Sequence, residues 1–501
     1  MENNISVEEY QTPKEMFKVI REIETRFSVD SLQLLDGTRI WNLVRVLLAY
    51  SLLRKKNGKK SLMSLLQTGF MLFKESIKPL RLPQHEIVYA GFSGTESRKM
   101  KEGFFYDIYM DPLYSILNEN FYVFEWPTPS GYRREYQEKV YSKHYVPMHI
   151  PIFSRTFLDF INYKLFKKTV TIEPQKALYD IVTFFNQKTN SDRDTVMKHL
   201  TNSVTVFYII KRFLRGILGK IQPEIIFIRC AYGRFNMALV QAARELGILT
   251  VELQHGIISQ YPVGYVKEQE SKNFDCIPNY LLTYGEMFTS IITRDYLFNK
   301  KNVITTGFPY LEKMKGEAPV IDQNLKKFVT YHDYNVFVTS QWTVSEQVKK
   351  FVAELSERIG PATGIIIKPH PRDESNYSSL KKYCNIYVTN KYDNTYEIFK
   401  VIDVHSTVYS TSGLEALAFG KPNIFIQAGT NIKDFFDIVD NTSSYMASST
   451  QEFIQHLEHI KSHYNDISKE IGKKAVLFFK PNPLGNVKKF LDSMILENED
   501  A

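Results

Sequence analysis

Three short apolar runs in this chain each end in a polar loop: Leu253-Gln254-His255-Gly256, Lys368-Pro369-His370-Pro371-Arg372 and Ser410-Thr411-Ser412-Gly413-Leu414-Glu415. That pattern constrains the fold, because a continuous apolar run suits a strand buried on both faces, and such strands belong to parallel sheets covered by helices. The neighbouring sequence keeps to it. Glu224 to Ile228 reads as a strand, Phe235 to Leu246 as a helix stopped by Gly247, and Leu249 to Leu253 as a second strand, which makes a βαβ unit with a parallel pair. Tyr280 to Tyr284 and Val303 to Thr306 continue the series up to Gly307-Phe308-Pro309. A second series has strands at Val336 to Thr339, Ile365 to Lys368, Ile386 to Thr389, Val401 to Val404 and Asn423 to Gln427. Its helices are Val344 to Ile359, Thr395 to Lys400 and Leu414 to Phe419.

With 501 residues, the chain exceeds the roughly 250–300 at which a single core stops growing. The expected fold class is α/β, with two Rossmann-like domains facing a cleft. The expected divisions are a helical N-terminal extension over 1–82, a first Rossmann-like domain over 83–315, a second over 330–480, and a C-terminal helix over 481–501 returning to the first domain after Pro481-Asn482-Pro483. The polar segment Lys313 to Asp333 is the expected linker. In the first domain, Glu86 to Ala90 reads as a strand feeding the loop Gly91-Phe92-Ser93-Gly94-Thr95-Glu96, and Phe121 to Glu125 as another strand.

Ligands of open parallel sheets collect outside the carboxyl ends of strands, where all three polar loops are expected. Ser410, Thr411, Ser412 and Gly413 open a helix, so its free N–H groups and the hydroxyls suit a phosphate, while Glu415 one turn on suits a ribose diol. The plainer alternative is a helix cap with an exposed glutamate. Lys368, His370 and Arg372 offer cationic or donor groups at alternate positions, with two prolines fixing the histidine between them. A rigid surface turn is the alternative there. His255 suits a general base for an acceptor hydroxyl, oriented by Glu252 or a nearby backbone group, and a structural histidine at a strand end is its alternative. Glu96 is the rival base. Ser340 and Gln341, after the first strand of the second series, add weaker candidates for donor contact.

Composition excludes several classes. With 44% hydrophobic and 24% charged residues the chain is an ordinary folded one, and a net charge of +8 without any finger spacing argues against a nucleic-acid partner. Cys230, Cys276 and Cys384 are too scattered for a disulfide framework or a zinc ribbon, which points to a reducing cytoplasm. Gly91 to Gly94 lacks the Gly-Lys-Ser/Thr of a Walker loop. The acidic pair Asp192 and Asp194 falls in a helical stretch rather than at a strand end, so a metal-independent reaction is preferred and no cofactor is expected. Ile40 to Leu53 is too short to span a bilayer. Followed by Arg54, Lys55, Lys56, Lys59 and Lys60, it either packs on the body of the protein or makes peripheral membrane contact through 40–60, at the inner face of the cell membrane.

On Gln254-His255-Gly256, His370-Pro371 and the Ser/Thr-rich turn to Glu415, the chain resembles bacterial surface-polysaccharide transferases of the GT-B fold over about Glu224 to Gln427. The pairing of a His-Pro motif with a Ser/Thr motif is similar to that of capsule sialyl- and Kdo-transferases, where these groups hold a CMP-linked donor. A His-Gly loop with a His-Pro loop is also similar to the CDP-glycerol glycerophosphotransferases of teichoic-acid synthesis, in which the first histidine is a base candidate. The acidic-pair-plus-glycine motif of polysialyltransferases is absent. The resemblance implies an inverting, metal-independent glycosyltransferase using a nucleotide-sugar co-substrate, CMP- or CDP-linked, and a surface-glycan or lipid-linked acceptor. A CDP-alditol (glycerol or ribitol) phosphotransferase, a sugar-nucleotide 2-epimerase and a non-catalytic scaffold of a polysaccharide-synthesis complex are the alternatives.

Overall fold

Two parallel sheets organise the computed structural model, which describes residues 13–51, 87–93, 98–99, 105–117, 120–125, 145–147, 170–268, 273–294, 297–428 and 438–499. Numbering only the strands of these sheets, the first contains β1 (Tyr89–Ser93), β2 (Phe121–Glu125), β3 (Tyr145–Pro147), β4 (Ile225–Arg229), β5 (Leu249–Leu253), β6 (Tyr280–Thr283) and β7 (Val303–Thr305). Its order is β7-β6-β5-β4-β1-β2-β3, and every neighbouring pair is parallel. The second contains β8 (Tyr334–Thr339), β9 (Thr363–Lys368), β10 (Ile386–Val388), β11 (Val404–Thr407), β12 (Asn423–Ile426) and β13 (Ser444–Ala447), in the order β10-β9-β8-β11-β12-β13, again all parallel. The architecture is therefore two α/β domains of the expected class. Chain direction across each sheet reverses once, between β1 and β4 and between β8 and β11, and ligands of such sheets lie beside these reversals.

The apolar runs form strands for the expected reason: Ile225 to Ile228 and Ile365 to Ile367 are buried, as strands covered on both faces must be. Several details differ from the sequence expectations. Gly91 to Ser93 is strand rather than loop, paired with β2 and β4, and the close packing there leaves no room for a side chain at Gly91, whose Cβ would meet the Phe121 ring at 2.9 Å and the Met110 sulfur at 3.1 Å. Lys313 to Asp333 is not a plain linker, since it holds the end of helix Pro309–Gly316 and all of helix Gln323–Tyr331, capped by Asp322.

The strand expected at Val401 to Val404 begins three residues later, and its members His405, Ser406 and Thr407 are polar yet buried. Each finds a lateral partner. His405 Nδ1 lies 2.7 Å from Asn423 Oδ1 and its Nε2 3.0 Å from Thr339 Oγ1, Ser406 donates to Ile424 O, and Thr407 to Thr339 O. A buried polar strand is tolerated only with such satisfaction. Asp192, one of the two acidic residues weighed as a metal pair, caps helix Arg193–Ile221 by accepting from Thr195 N at 2.7 Å.

The apolar stretch from Ile40 is internal where it is described. Helix Trp41–Ser51 buries Trp41, Leu43, Val44 and Leu48 in the core it shares with helix Arg193–Ile221 and β4, so these side chains are not available to a membrane. Trp41 donates to Glu24 Oε1 at 3.0 Å, the buried Arg45 pairs with the same oxygen at 2.9 Å, and its guanidinium also donates to Val266 O. Lys55, Lys56, Lys59 and Lys60 lie outside the described residues. No helix among the described residues is long and apolar enough to cross a membrane.

The last helix, Pro483–Glu499, returns to the first sheet, where Val487, Phe490, Leu491 and Met494 pack with Leu113, Phe121 and Phe227. The chain crosses over by laying Leu477 to Lys480 against the loops after β6 and β7. Lys480 N donates to Tyr284 O at 2.8 Å and Lys480 Nζ to Thr305 O at 2.9 Å. Gly285 and Gly307 permit the approach, for a Cβ on either would overlap this crossing backbone, and Gly307 has a φ of +101°.

Candidate functional site

The loops after β4 and β5 meet around His255. Its Nε2 lies 3.1 Å from the Tyr232 hydroxyl, and its Nδ1 lies 3.5 Å from the Tyr265 hydroxyl and 3.9 Å from Glu252 Oε1. The Tyr109 hydroxyl donates to the His255 carbonyl at 2.5 Å. Gln254 holds the loop's backbone, donating to Gly256 O at 2.7 Å and accepting from Tyr284 N at 2.8 Å. Glu252 is fully buried: Oε1 accepts from Tyr265 at 2.7 Å and from Ala231 N at 3.0 Å, while Oε2 has no hydrogen-bond partner among the described residues.

These surroundings set the charges. Burial, helped by the Arg229 guanidinium, pushes the His255 imidazole down to about 4. Burial pushes the Glu252 carboxyl up to about 7, against hydrogen bonds from Tyr265 and Ala231 that lower it. Near pH 5.5 the pair therefore carries one proton, on the carboxyl, and the imidazole is a free base. Cys230 is driven up to about 12 by burial, so its thiol stays protonated.

The second sheet supplies the other loops. Lys368 ends β9 and donates to Lys391 O at 3.0 Å. His370 Nδ1 accepts from Arg372 N at 3.0 Å, which leaves Nε2 as the N–H side of the neutral ring. Burial first, then the Arg372 and Lys368 charges, lower its basicity. The Tyr377 hydroxyl bridges Ser340 Oγ at 2.9 Å and Asp373 Oδ2 at 2.8 Å, tying the end of β8 to the His-Pro loop. Gln341 accepts from Tyr409 N at 3.3 Å and so reaches the loop after β11.

In that loop Ser410 Oγ accepts from Ser412 N at 3.3 Å, Thr411 is exposed, and the Ser412 hydroxyl is engaged by Thr339 at 2.8 Å. Gly413 sits beneath the Phe425 ring, where a Cβ would lie 2.7 Å from Cζ, and Asn423 donates to its carbonyl at 2.8 Å. Glu415 is half-buried on the first turn of helix Ser412–Ala418.

The two groups of loops approach one another through aromatic side chains. Tyr284 stacks on Phe308 at 4.5 Å, Phe308 stacks on Tyr109 at 5.9 Å, and Tyr310 meets Tyr396 of the second domain at 5.7 Å. Burial, then Tyr109, Tyr396 and Glu415, raise the Tyr284 phenol, so Glu415 bears on the same tyrosine as the ring that holds the His255 carbonyl. The structure thus brings His255, Glu415 and the tyrosines between them to neighbouring strand ends, with Lys368, His370, Arg372, Ser340 and Gln341 on the adjoining ends of β8 and β9. Glu96, the rival base, lies outside the described residues. Sequence reasoning passed over Arg229, Tyr232, Tyr265, Asp373, Tyr377 and Asn423. Position after a strand was the available signal for Arg229 and Tyr232. Asp373 and Tyr377 adjoin the His-Pro loop but carried no motif of their own, and Tyr265 and Asn423 are brought in by the fold. Among the described residues no group of three or more His, Cys, Asp or Glu side chains is placed to hold a metal ion.

Residues 236–483, just under half of the chain, match the family described as CDP-glycerol:poly(glycerophosphate) glycerophosphotransferase. No curated protein matches the sequence. Among solved structures the chain is similar to the wall teichoic acid polymerase TagF with CDPG, at 8% identity, covering 88% of this chain and 100% of that one with a TM-score of 0.47. It is similar to the glycotransferase of kitacinnamycin at 11% identity, 82% and 99% coverage and a TM-score of 0.48. It is also similar to UDP-GlcNAc 2-epimerase from Neisseria meningitidis at 14% identity, 82% and 99% coverage and a TM-score of 0.44. At these values the likenesses add nothing to the fold already described from its sheets.

Proposed function

We propose, from the match of residues 236–483 to the CDP-glycerol:poly(glycerophosphate) glycerophosphotransferase family, that the chain is a CDP-alditol phosphotransferase acting on a surface-glycan or lipid-linked acceptor. The observation that carries the reading is the extent of the match, which runs through all three polar loops from His255 to Glu415. In the proposed step an acceptor hydroxyl attacks the alditol-bearing phosphorus of the donor, and CMP leaves with the electrons of the broken P–O bond. His255, neutral in its buried setting, accepts the hydroxyl's proton. The Nε2–H of His370, with Lys368 and Arg372, stabilises charge on the diphosphate as CMP departs. Ser340, Gln341 and the turn Ser410-Thr411-Ser412-Gly413 line the donor side, and Glu415 takes the ribose hydroxyls. The cytidine-linked donor is a co-substrate and the reading calls for no cofactor.

Inverting glycosyl transfer is the nearest rival and differs in the atom attacked, the anomeric carbon instead of phosphorus. A thermal-shift screen of CMP, CDP, UDP, GDP, CDP-glycerol and nucleotide sugars, followed by product analysis, separates them. Stabilisation by CDP-glycerol, lost in His370→Ala, together with acceptor-dependent CMP release, supports phosphotransfer. Stabilisation by a UDP-sugar alone with release of UDP overturns it. UDP release without any acceptor would favour epimerase chemistry instead.

A further inference from the structure

The hydrogen bonds at His255 have a single direction. Glu252 Oε1 accepts from Ala231 N at 3.0 Å and from the Tyr265 hydroxyl at 2.7 Å, so the carboxyl's own proton, when present, sits on Oε2. The Tyr265 oxygen is then the acceptor facing His255 Nδ1 at 3.5 Å, which assigns the ring proton to Nδ1. Nε2 is left with its lone pair, 3.1 Å from the Tyr232 hydroxyl, which can donate to it and also has hydrogen bonds with Cys230 and Tyr50. The order from the half-buried Tyr232 to the fully buried Glu252 is Tyr232, His255, Tyr265, Glu252. The inner nitrogen is thus turned toward buried groups, while the outer one and the Tyr232 hydroxyl both lie on the half-buried side from which an acceptor hydroxyl would arrive.

Tyr232 is held firmly. Its ring lies parallel to that of Tyr50 at 6.3 Å with an interplanar angle of 6°, and edge-on to Tyr265 at 5.2 Å. On a further side it packs against Gly264, where a Cβ would come within 2.6 Å of its Cδ1. Tyr50 belongs to helix Trp41–Ser51, so the N-terminal helices reach the candidate base through this stack.

We propose that Tyr232 is a further catalytic residue, taking the proton of the acceptor hydroxyl as it passes its own to His255 Nε2, with Tyr265 and Glu252 as positioning residues behind the ring. This rests on the reading of His255 as the base. In the step, the acceptor oxygen bonds to phosphorus and the P–O bond to CMP breaks. The acceptor's proton moves to the Tyr232 oxygen while the Tyr232 proton moves to Nε2. Tyr232 ends neutral, and the imidazolium donates from Nδ1 to the Tyr265 oxygen, whose own hydroxyl donates to Glu252. The other titratable or charged groups about this row are Arg229 beside His255, and Cys230 and Tyr50 beside Tyr232.

The test measures CMP release from CDP-glycerol, with a glycerol-phosphate-primed lipid as acceptor, across pH in the full chain and in Tyr232→Phe, Tyr265→Phe and His255→Asn. Expected are a fall in kcat of about 100-fold or more in Tyr232→Phe with donor affinity unchanged, and an acid limb displaced to higher pH in Tyr265→Phe, because the lost hydrogen bond favours ionised Glu252. A fluorinated tyrosine at position 232 keeps the fold and lowers the phenol's pKa, and it should displace the pH profile. Wild-type kcat and an unmoved profile in both position-232 variants, with His255→Asn inactive, overturn the relay alone. Undiminished turnover in His255→Asn, or no CMP release by the unaltered chain, removes the reading beneath it and the relay with it.

Discussion

Glu252→Gln tests whether the buried carboxyl beside His255 is protonated in the folded protein. A carboxyl raised from 4.5 to about 7 by burial is protonated when folded and ionised when unfolded between those pH values, so folding takes up a proton there. Stability from this group is therefore full below about pH 4.5 and is lost as pH rises through about 7. At 1.36 kcal/mol per pH unit the loss is about 3 kcal/mol by pH 8. Glutamine keeps the acceptor for Ala231 N and does not ionise. Its amide nitrogen would occupy the place of Oε2, which has no partner among the described residues, but that cost is the same at every pH. His255 titrates in parent and variant alike and cancels in their difference. The expected result is a variant whose stability relative to the parent improves by about 2.5 kcal/mol between pH 5 and pH 8. In thermal unfolding of the first domain this is on the order of 5–10 °C, at roughly 2–4 °C per kcal/mol. An equal difference in melting temperature at the two pH values would refute the reasoning, since it would mean that burial imposes no cost on the charged form.

Other perturbations have equally definite outcomes. Gly307→Ala places a side chain at a φ of +101° against the crossing backbone of Lys480 and should destabilise by at least about 2 kcal/mol, read as a lowered melting temperature. Arg45→Met leaves Glu24 buried without its ion pair, costing about 3–5 kcal/mol in denaturant unfolding, and adding Glu24→Gln should recover much of that. His370→Ala should weaken CDP-glycerol binding roughly 10- to 100-fold by calorimetry while leaving the melting temperature of the free protein within about 2 °C, the loss expected for one hydrogen bond to a charged group.

Much of the fold was legible because apolar runs report burial directly. Phe121 to Glu125 and Leu249 to Leu253 were read to the residue, and the strand-end positions of His255 and Lys368 followed from them. The reading failed where burial and polarity part company. His405, Ser406 and Thr407 form a central strand because Thr339, Ile424 and Asn423 satisfy them sideways, and nothing local announces partners that far away. The N-terminal helix was ambiguous for a similar reason, since an apolar face looks the same whether it meets lipid or helix Arg193–Ile221.

By itself the sequence determined the two parallel sheets and the loops at which their chemistry gathers, since both depend on patterns a few residues long. The tertiary structure alone decided which groups surround the candidate base. Tyr50, Tyr232 and Tyr265 come from three separate segments, and Tyr284 links the His255 loop to Glu415 across the domains. Hydrogen-bond direction and the burial that makes His255 a free base are properties of that assembly, because low dielectric and fixed partners exist only once distant segments have packed together.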